Sequence, residues 1–213
     1  MTNCAVTFFI KYMNTNKTFS FFGKGVFNQE KGEWVLRKRP SQSVDIAWVY
    51  NYIKSERARV ATEGLRAMPS TATKTEKSNY KKANLEYVTF SGVFPYRNAE
   101  SLEMRSPYVC LDIDDLGSIE EARRIQHMLC QDQNLVTVLC FVSPRGVGVK
   151  WVVELPEWTA NLPYKEQFDR LRNYLGFEYG IDPDTNCSDV CRACFLPYDN
   201  ECYINPKYQD NNL

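Results

Sequence analysis

Two apolar runs joined by a short glycine turn constrain this chain more than any other feature. LVTVLCFV at 135–142 and VKWVVEL at 149–155 flank SPRGVG at 143–148. Short runs rich in Val, Leu and Phe, bounded by turn residues, read as strands buried on both faces. Two of them this close in sequence pair as an antiparallel hairpin. Upstream, PYVCLDID at 107–114 reads as another strand. Ser118 then opens a helix in the pattern S-x-x-E, with Glu121 as its reciprocal partner, running to about 131. A second helix is expected over 164–175, and DVCRACFL at 189–196 reads as a closing strand. The order is β-α-β-β-α-β. It predicts an α+β chain with a ferredoxin/RRM-like, four-stranded antiparallel palm whose first and third strands are central.

The N-terminal half is less regular. CAVTFFI at 4–10, TFSFFG at 18–23 and WVLRKR at 34–39 read as strands. Asp45 caps a helix expected over 45–59, where Ile46, Val49, Tyr50 and Ile53 recur at helical spacing. MPSTATKTEKSNYKKAN at 68–84 has little to bury and reads as a loop. YVTFSGVF at 87–94 returns to a strand and a turn. The reading is a basic N-terminal α+β unit over 1–105, packed against a catalytic palm over 106–213.

Charge supports that division. Net charge is zero, yet residues 1–105 hold 17 Lys/Arg against 9 Asp/Glu, and residues 106–213 hold 9 against 17. A basic half suits a polyanion, and an acidic half suits metal. There is no run of 18 apolar residues, so no membrane partner is expected and a cytoplasmic location is. The cysteines read as reduced core residues. Cys187, Cys191, Cys194 and Cys202 have a spacing that resembles a zinc loop, but no turn separates Cys191 from Cys194, and no structural zinc is expected.

Three segments carry candidate chemistry. Asp112 and Asp114 end the first palm strand at i, i+2 spacing, so both carboxylates project from one face, where Mg²⁺ or Mn²⁺ is a suitable guest. In the turn, Gly146 and Gly148 let backbone N–H groups approach an anion. Ser143 and Arg145 add donors, and Lys150 adds a point charge that is expected to serve phosphate binding rather than folding. IDPDTNCSDVCR at 181–192 supplies a further carboxylate, with Asp182, Asp184 and Asp189 as rivals, and Arg192 lies within the strand that follows.

These three segments, in this order, resemble the motifs of archaeo-eukaryotic-type primases and primase-polymerases. The nearest likeness is the primase-like VirE N-terminal domain of Bacteroides and their phages, carried also by YVTFSGVFPYR at 87–97 and RACFLPYDNECYINP at 192–206. Two positions depart from the superfamily pattern: Lys150 stands where a histidine is usual, and FLPYDN replaces a Pro-Gly-x-x-Asn-like end. The resemblance implies that Asp112, Asp114 and Asp182 are catalytic and hold two metal ions. It implies that Ser143, Arg145, Gly146, Gly148 and Lys150 bind nucleotide phosphates, with Arg192 beside them. The implied activity is nucleotidyl transfer in DNA replication, with nucleoside triphosphates, a single-stranded DNA template and a helicase as partners. Two other readings stay open: a silent single-stranded nucleic-acid-binding module, using Tyr108 and Trp151 as stacking platforms, and a two-metal nuclease or cyclase. A single histidine argues against a rolling-circle nickase, which needs a histidine metal cluster.

Overall fold

A computed structural model of the chain describes residues 17–156, 159 and 161–209. The strand expected at 4–10 lies outside these residues. The rest is α+β, as expected. In chain order come β1 (Phe19–Phe22), β2 (Val26–Asn28), β3 (Glu33–Val35), β4 (Gln42–Val44), α1 (Ile46–Ile53), α2 (Glu56–Arg66), α3 (Lys74–Asn84), β5 (Tyr87–Thr89), β6 (Gly92–Val93) and β7 (Met104–Arg105). The second half adds β8 (Tyr108–Ile113), α4 (Ile119–Cys130), β9 (Thr137–Val142), β10 (Val149–Glu154), α5 (Tyr164–Tyr179), β11 (Cys194–Phe195) and β12 (Tyr203–Ile204). No helix among the described residues is long and apolar enough to cross a membrane.

Two four-stranded sheets organise the molecule, one ordered β11-β5-β1-β4 and the other β12-β9-β10-β8. The hairpin β9–β10 and the antiparallel pair β8–β10 form where the sequence places them. Side-chain alternation then sorts each strand onto two faces. Val109, Leu111 and Ile113, with Val149, Trp151 and Val153, pack under α4 and α5 against Leu129, Phe168 and Leu171. The opposite face contributes Tyr108, Leu139, Phe141 and Val152 to a core shared with Phe19, Val49 and Val88 of the first sheet and α1. Both faces are covered, so β9 is buried at every residue.

Several boundaries differ from expectation. The helix expected over 45–59 stops at Ile53. Asp45 caps it by accepting from Trp48 N, as predicted. Ser55 then donates to Tyr52 O and accepts from Ala58 N, which ends one helix and starts α2. The stretch 68–84 is not all loop. Thr73 and Glu76 form a reciprocal capping box, and α3 follows as a polar helix with no fully buried residue. Ser118 caps α4, but Glu121 turns to Arg124 instead of reaching back.

The largest difference concerns the closing strand. Only Cys194–Phe195 of the segment 189–196 is extended, and it pairs with β5 in the first sheet. The fourth strand of the second sheet is β12, beside β9. Among the described residues β8 therefore lies at a sheet edge and is not central. Asp184 explains why. It follows Pro183, which has no N–H to give to a sheet, and it caps a 3-10 turn at Thr185–Ser188. Its own N–H donates to Asp112 O over 2.8 Å, so a turn rather than a strand meets this end of β8.

Candidate functional site

The register of β8 against β10 sets Asp112 directly opposite Lys150. Side chains so placed stand about 5 Å apart at Cβ, and here the Lys150 ammonium pairs with Asp112 Oδ2. Both are buried, at 8 % and 7 % exposure. Lys150 is thus not the free phosphate ligand that its position after a glycine turn implies; it neutralises a carboxylate inside the protein. Asp112 Oδ1 is buried and has no partner among the described residues. Burying an unpaired acceptor costs free energy unless something fills it.

The glycine turn bends over this pair. Ser143 N donates to Gly148 O at 2.7 Å, and Gly146 N donates to Ser143 O at 2.9 Å. Gly146 has φ +84°, a left-handed conformation that suits glycine. At Gly148 a Cβ would lie 2.6 Å from Ile113 O and 3.1 Å from both Asp114 Oδ1 and Ser143 Oγ. Only glycine lets the turn lie this close to the acids. Arg66, from α2, donates to the carbonyls of Ser143 and Pro144 at 3.2 Å and holds the turn from outside. Asp199, in FLPYDN, accepts from Val142 N and from Arg123 and fixes the end of β9. Ser143 Oγ, like Asp112 Oδ1, is buried without a partner.

A cleft of about 330 Å³ opens above these groups. Asp112, Asp114, Ser143, Arg145, Lys150 and Arg192 line it, so most of the predicted residues do converge. Arg145 reaches Asp115 at 3.1 Å and Asp114 at 3.6 Å. Lys81 and Arg97 add two cations from the N-terminal half. Burial, reinforced by Lys150 and Arg145 nearby, pulls the Lys81 ammonium below its ordinary value. Arg97 donates to Cys191 O at 3.3 Å and lies over the Tyr87 ring. The lining thus holds five cations, namely Lys81, Arg97, Arg145, Lys150 and Arg192, against the carboxylates of Asp112, Asp114 and Asp189. Arg145 and Arg192 also pair with Asp115 and Asp184 outside the lining, so the cationic excess belongs to the lining itself.

Asp182 does not join them. Its carboxylate is 69 % exposed and takes two hydrogen bonds from Arg172 of α5, at 2.5 and 2.9 Å. That guanidinium holds it below the usual carboxylate range. The rival Asp184 is the one beside Asp112. Among the described residues, Asp112, Asp184 and Cys187 bring one ligand atom each within 4.8 Å of one another. Asp184 Oδ2 accepts from Arg192 at 2.8 Å. Asp189 lines the cleft while its Oδ1 accepts from Cys191 N. Below the cleft lies a cavity of about 20 Å³, enough for one water-sized guest. Asp112, Lys150, Cys187 and Asp189 border it, with Cys110 and Cys194, whose sulfurs are 3.8 Å apart.

The sequence offers Lys81 only as half of a basic pair with Lys82 suited to template phosphates, and Cys187 only within the zinc-like cysteine spacing. The signal for Lys81 was the capping box at Thr73, which makes 74–84 a helix with a defined face. Nothing local sets Cys187 beside Asp112, because only the turn after Asp184 carries it back to β8.

The family model described as BT4734-like, N-terminal domain, matches residues 80–204, more than half of the chain. The chain belongs to that family. The BT4734-like region begins within α3, one residue before Lys81, and ends in β12, so it takes in every cleft residue named above, while Arg66, which holds the turn from outside, precedes it. No curated protein and no solved structure matches the chain.

Proposed function

We propose that the cleft binds a nucleoside triphosphate together with divalent metal and transfers its nucleotidyl group, in the manner of a primase-polymerase acting in DNA replication. The observation that carries this reading is the pairing of a cation-rich lining with two buried, unpartnered oxygens, Asp112 Oδ1 and Ser143 Oγ. A metal–triphosphate complex answers both, since its phosphates meet the cations and its hard cation takes the carboxylate oxygen.

The residues present fit a divalent cation. Asp112 and Asp114 would hold it, with Asp184 as the third carboxylate in place of Asp182. When bound, such an ion lowers the barrier by activating the attacking hydroxyl and stabilising the pyrophosphate leaving group. The chain itself does the rest. Arg145, Lys81 and Arg192 hold phosphate oxygens. The Gly146 and Gly148 segment presents backbone close to them because no Cβ intervenes. Lys150 pairs with Asp112 and holds it in place.

Leu36 lines the same cleft, and the exposed run Arg37, Lys38 and Arg39 that follows it would track the phosphates of a single-stranded template. A helicase partner belongs to this reading through the primase likeness alone. The silent-binder alternative loses its platform, because Tyr108 and Trp151 are fully buried. A nuclease or cyclase on the same site differs in its product.

The test is incubation with labelled nucleotides, Mn²⁺ or Mg²⁺ and a primed single strand. Extended strands are expected, and their loss is expected in Asp112→Asn. Cleaved strands or cyclic nucleotide would favour the second alternative. Failure of the protein to bind any triphosphate would end the proposal.

A further inference from the structure

We infer that the Cys187 sulfur is a ligand of the metal held by Asp112 and Asp184, so that the site prefers a sulfur-tolerant divalent ion, zinc, to magnesium. The inference deepens the metal site of the proposed function and rests on it for the site's purpose, but not for its existence.

Three observations carry it. The ligand atoms of Asp112, Asp184 and Cys187 lie within 4.8 Å of one another, close enough to share one ion. Asp112 is more than nine-tenths buried and keeps Oδ1 without a partner. The cavity bordered by Asp112 and Cys187 has room for about one water-sized guest and not for an organic ligand.

Charge decides which ion. Lys150 already pairs with Asp112, and Arg192 with Asp184. The two carboxylates are therefore largely neutralised before any ion arrives. What remains is one orphan oxygen, the lone pair of Asp184 that Asn186 and Arg192 leave open, and a sulfur. Magnesium demands near-octahedral oxygen and gives up water reluctantly, so this set offers it little. Zinc gains from sulfur outright, whereas manganese, like magnesium, favours oxygen. As the sulfur bonds the ion, its proton leaves to solvent and the site gains a third negative charge.

Cadmium is the probe, because a bond between sulfur and cadmium gives an ultraviolet charge-transfer band that oxygen ligands do not. The chain is titrated with Cd²⁺ in thiol-free buffer. A saturable band is expected that survives excess Mg²⁺ and is displaced by Zn²⁺. Cys187→Ser should abolish it while circular dichroism stays unchanged. Asp184→Asn, which retains the acceptor that caps the turn, should weaken Cd²⁺ binding by at least ~10-fold. An undiminished band in Cys187→Ser, or displacement by Mg²⁺ as readily as by Zn²⁺, overturns the inference. Triphosphate binding is measured in parallel with Mg²⁺. Triphosphate binding without a Cys187-dependent band ends this inference and leaves the proposed function standing. The band without triphosphate binding does the reverse.

Discussion

The end of β8 and the segment 181–192 each carry acids, and the protein treats them in opposite ways. On β8 the partner strand fixes everything. Pairing with β10 places Lys150 across from Asp112, buries both and leaves one oxygen unfilled. In the segment 181–192 no strand imposes an alternation. Asp182 swings out to Arg172, Asp184 turns in beside Asp112, and Asp189 binds its own backbone neighbourhood. A carboxylate on a paired strand has its surroundings decided by register. In a turn, they are decided by whichever cation is nearest.

The sharpest way to break that comparison is Lys150→Met. An exposed lysine would change stability little, whereas this one leaves Asp112 charged and alone in the interior. A loss of ~3–5 kcal/mol is expected in denaturant unfolding. The double variant Asp112→Asn/Lys150→Met should recover part of it, because neither charge is then stranded. If the single variant melts like wild type, the buried pair is not what holds this end of β8.

Gly148→Ala comes next. The added methyl meets Ile113 O, which belongs to the backbone and cannot turn aside. About 1–3 kcal/mol of destabilisation is expected in thermal unfolding. The same change at Gly176, where the nearest atom is 4.0 Å away, should cost no such clash.

How far was this site legible beforehand? The hairpin β9–β10, the strand β8 and the capped helix α4 follow from local patterns, because buried strands and helix caps are written in adjacent residues. So do Asp112, Asp114 and the glycine turn, which sit at the ends of those elements. What was not legible depends on pairing between distant segments. DVCRACFL has the composition of a strand, yet which sheet takes it depends on the edge offered by β5. Asp182 and Asp184 are indistinguishable until Arg172 and Asp112 are in place. The helix α3 was overlooked for a different reason: its signal is a capping box, not a hydrophobic stripe.

Two smaller effects sharpen the comparison. Lys81→Ala removes one cation from the cleft without touching the acids. Triphosphate binding should weaken roughly 10-fold, the worth of one charge-assisted contact, as measured by calorimetry with Mn²⁺. Unchanged affinity would place the phosphates away from α3. The smallest effect belongs to Asp182→Ala, which should alter neither melting temperature nor metal binding. If it reduces Mn²⁺ binding as much as Asp184→Ala does, the turn assignment is wrong and Asp182 reaches the site in solution.

The placement of β11 also has a consequence in time. The first sheet pairs β5, complete by residue 89, with a strand at residues 194–195. More than a hundred residues are synthesised before that edge can close, and contacts so far apart in sequence form slowly. Throughout that interval β5 presents an unpaired edge, the feature that recruits other chains. Arg192 and Ala193 precede β11 immediately, so the cleft wall they provide arrives with the same late event. A nascent chain halted before residue 190 would carry β8, its acids and the glycine turn, but no finished cleft. Assembly of the site is thus timed to the last stretch of translation.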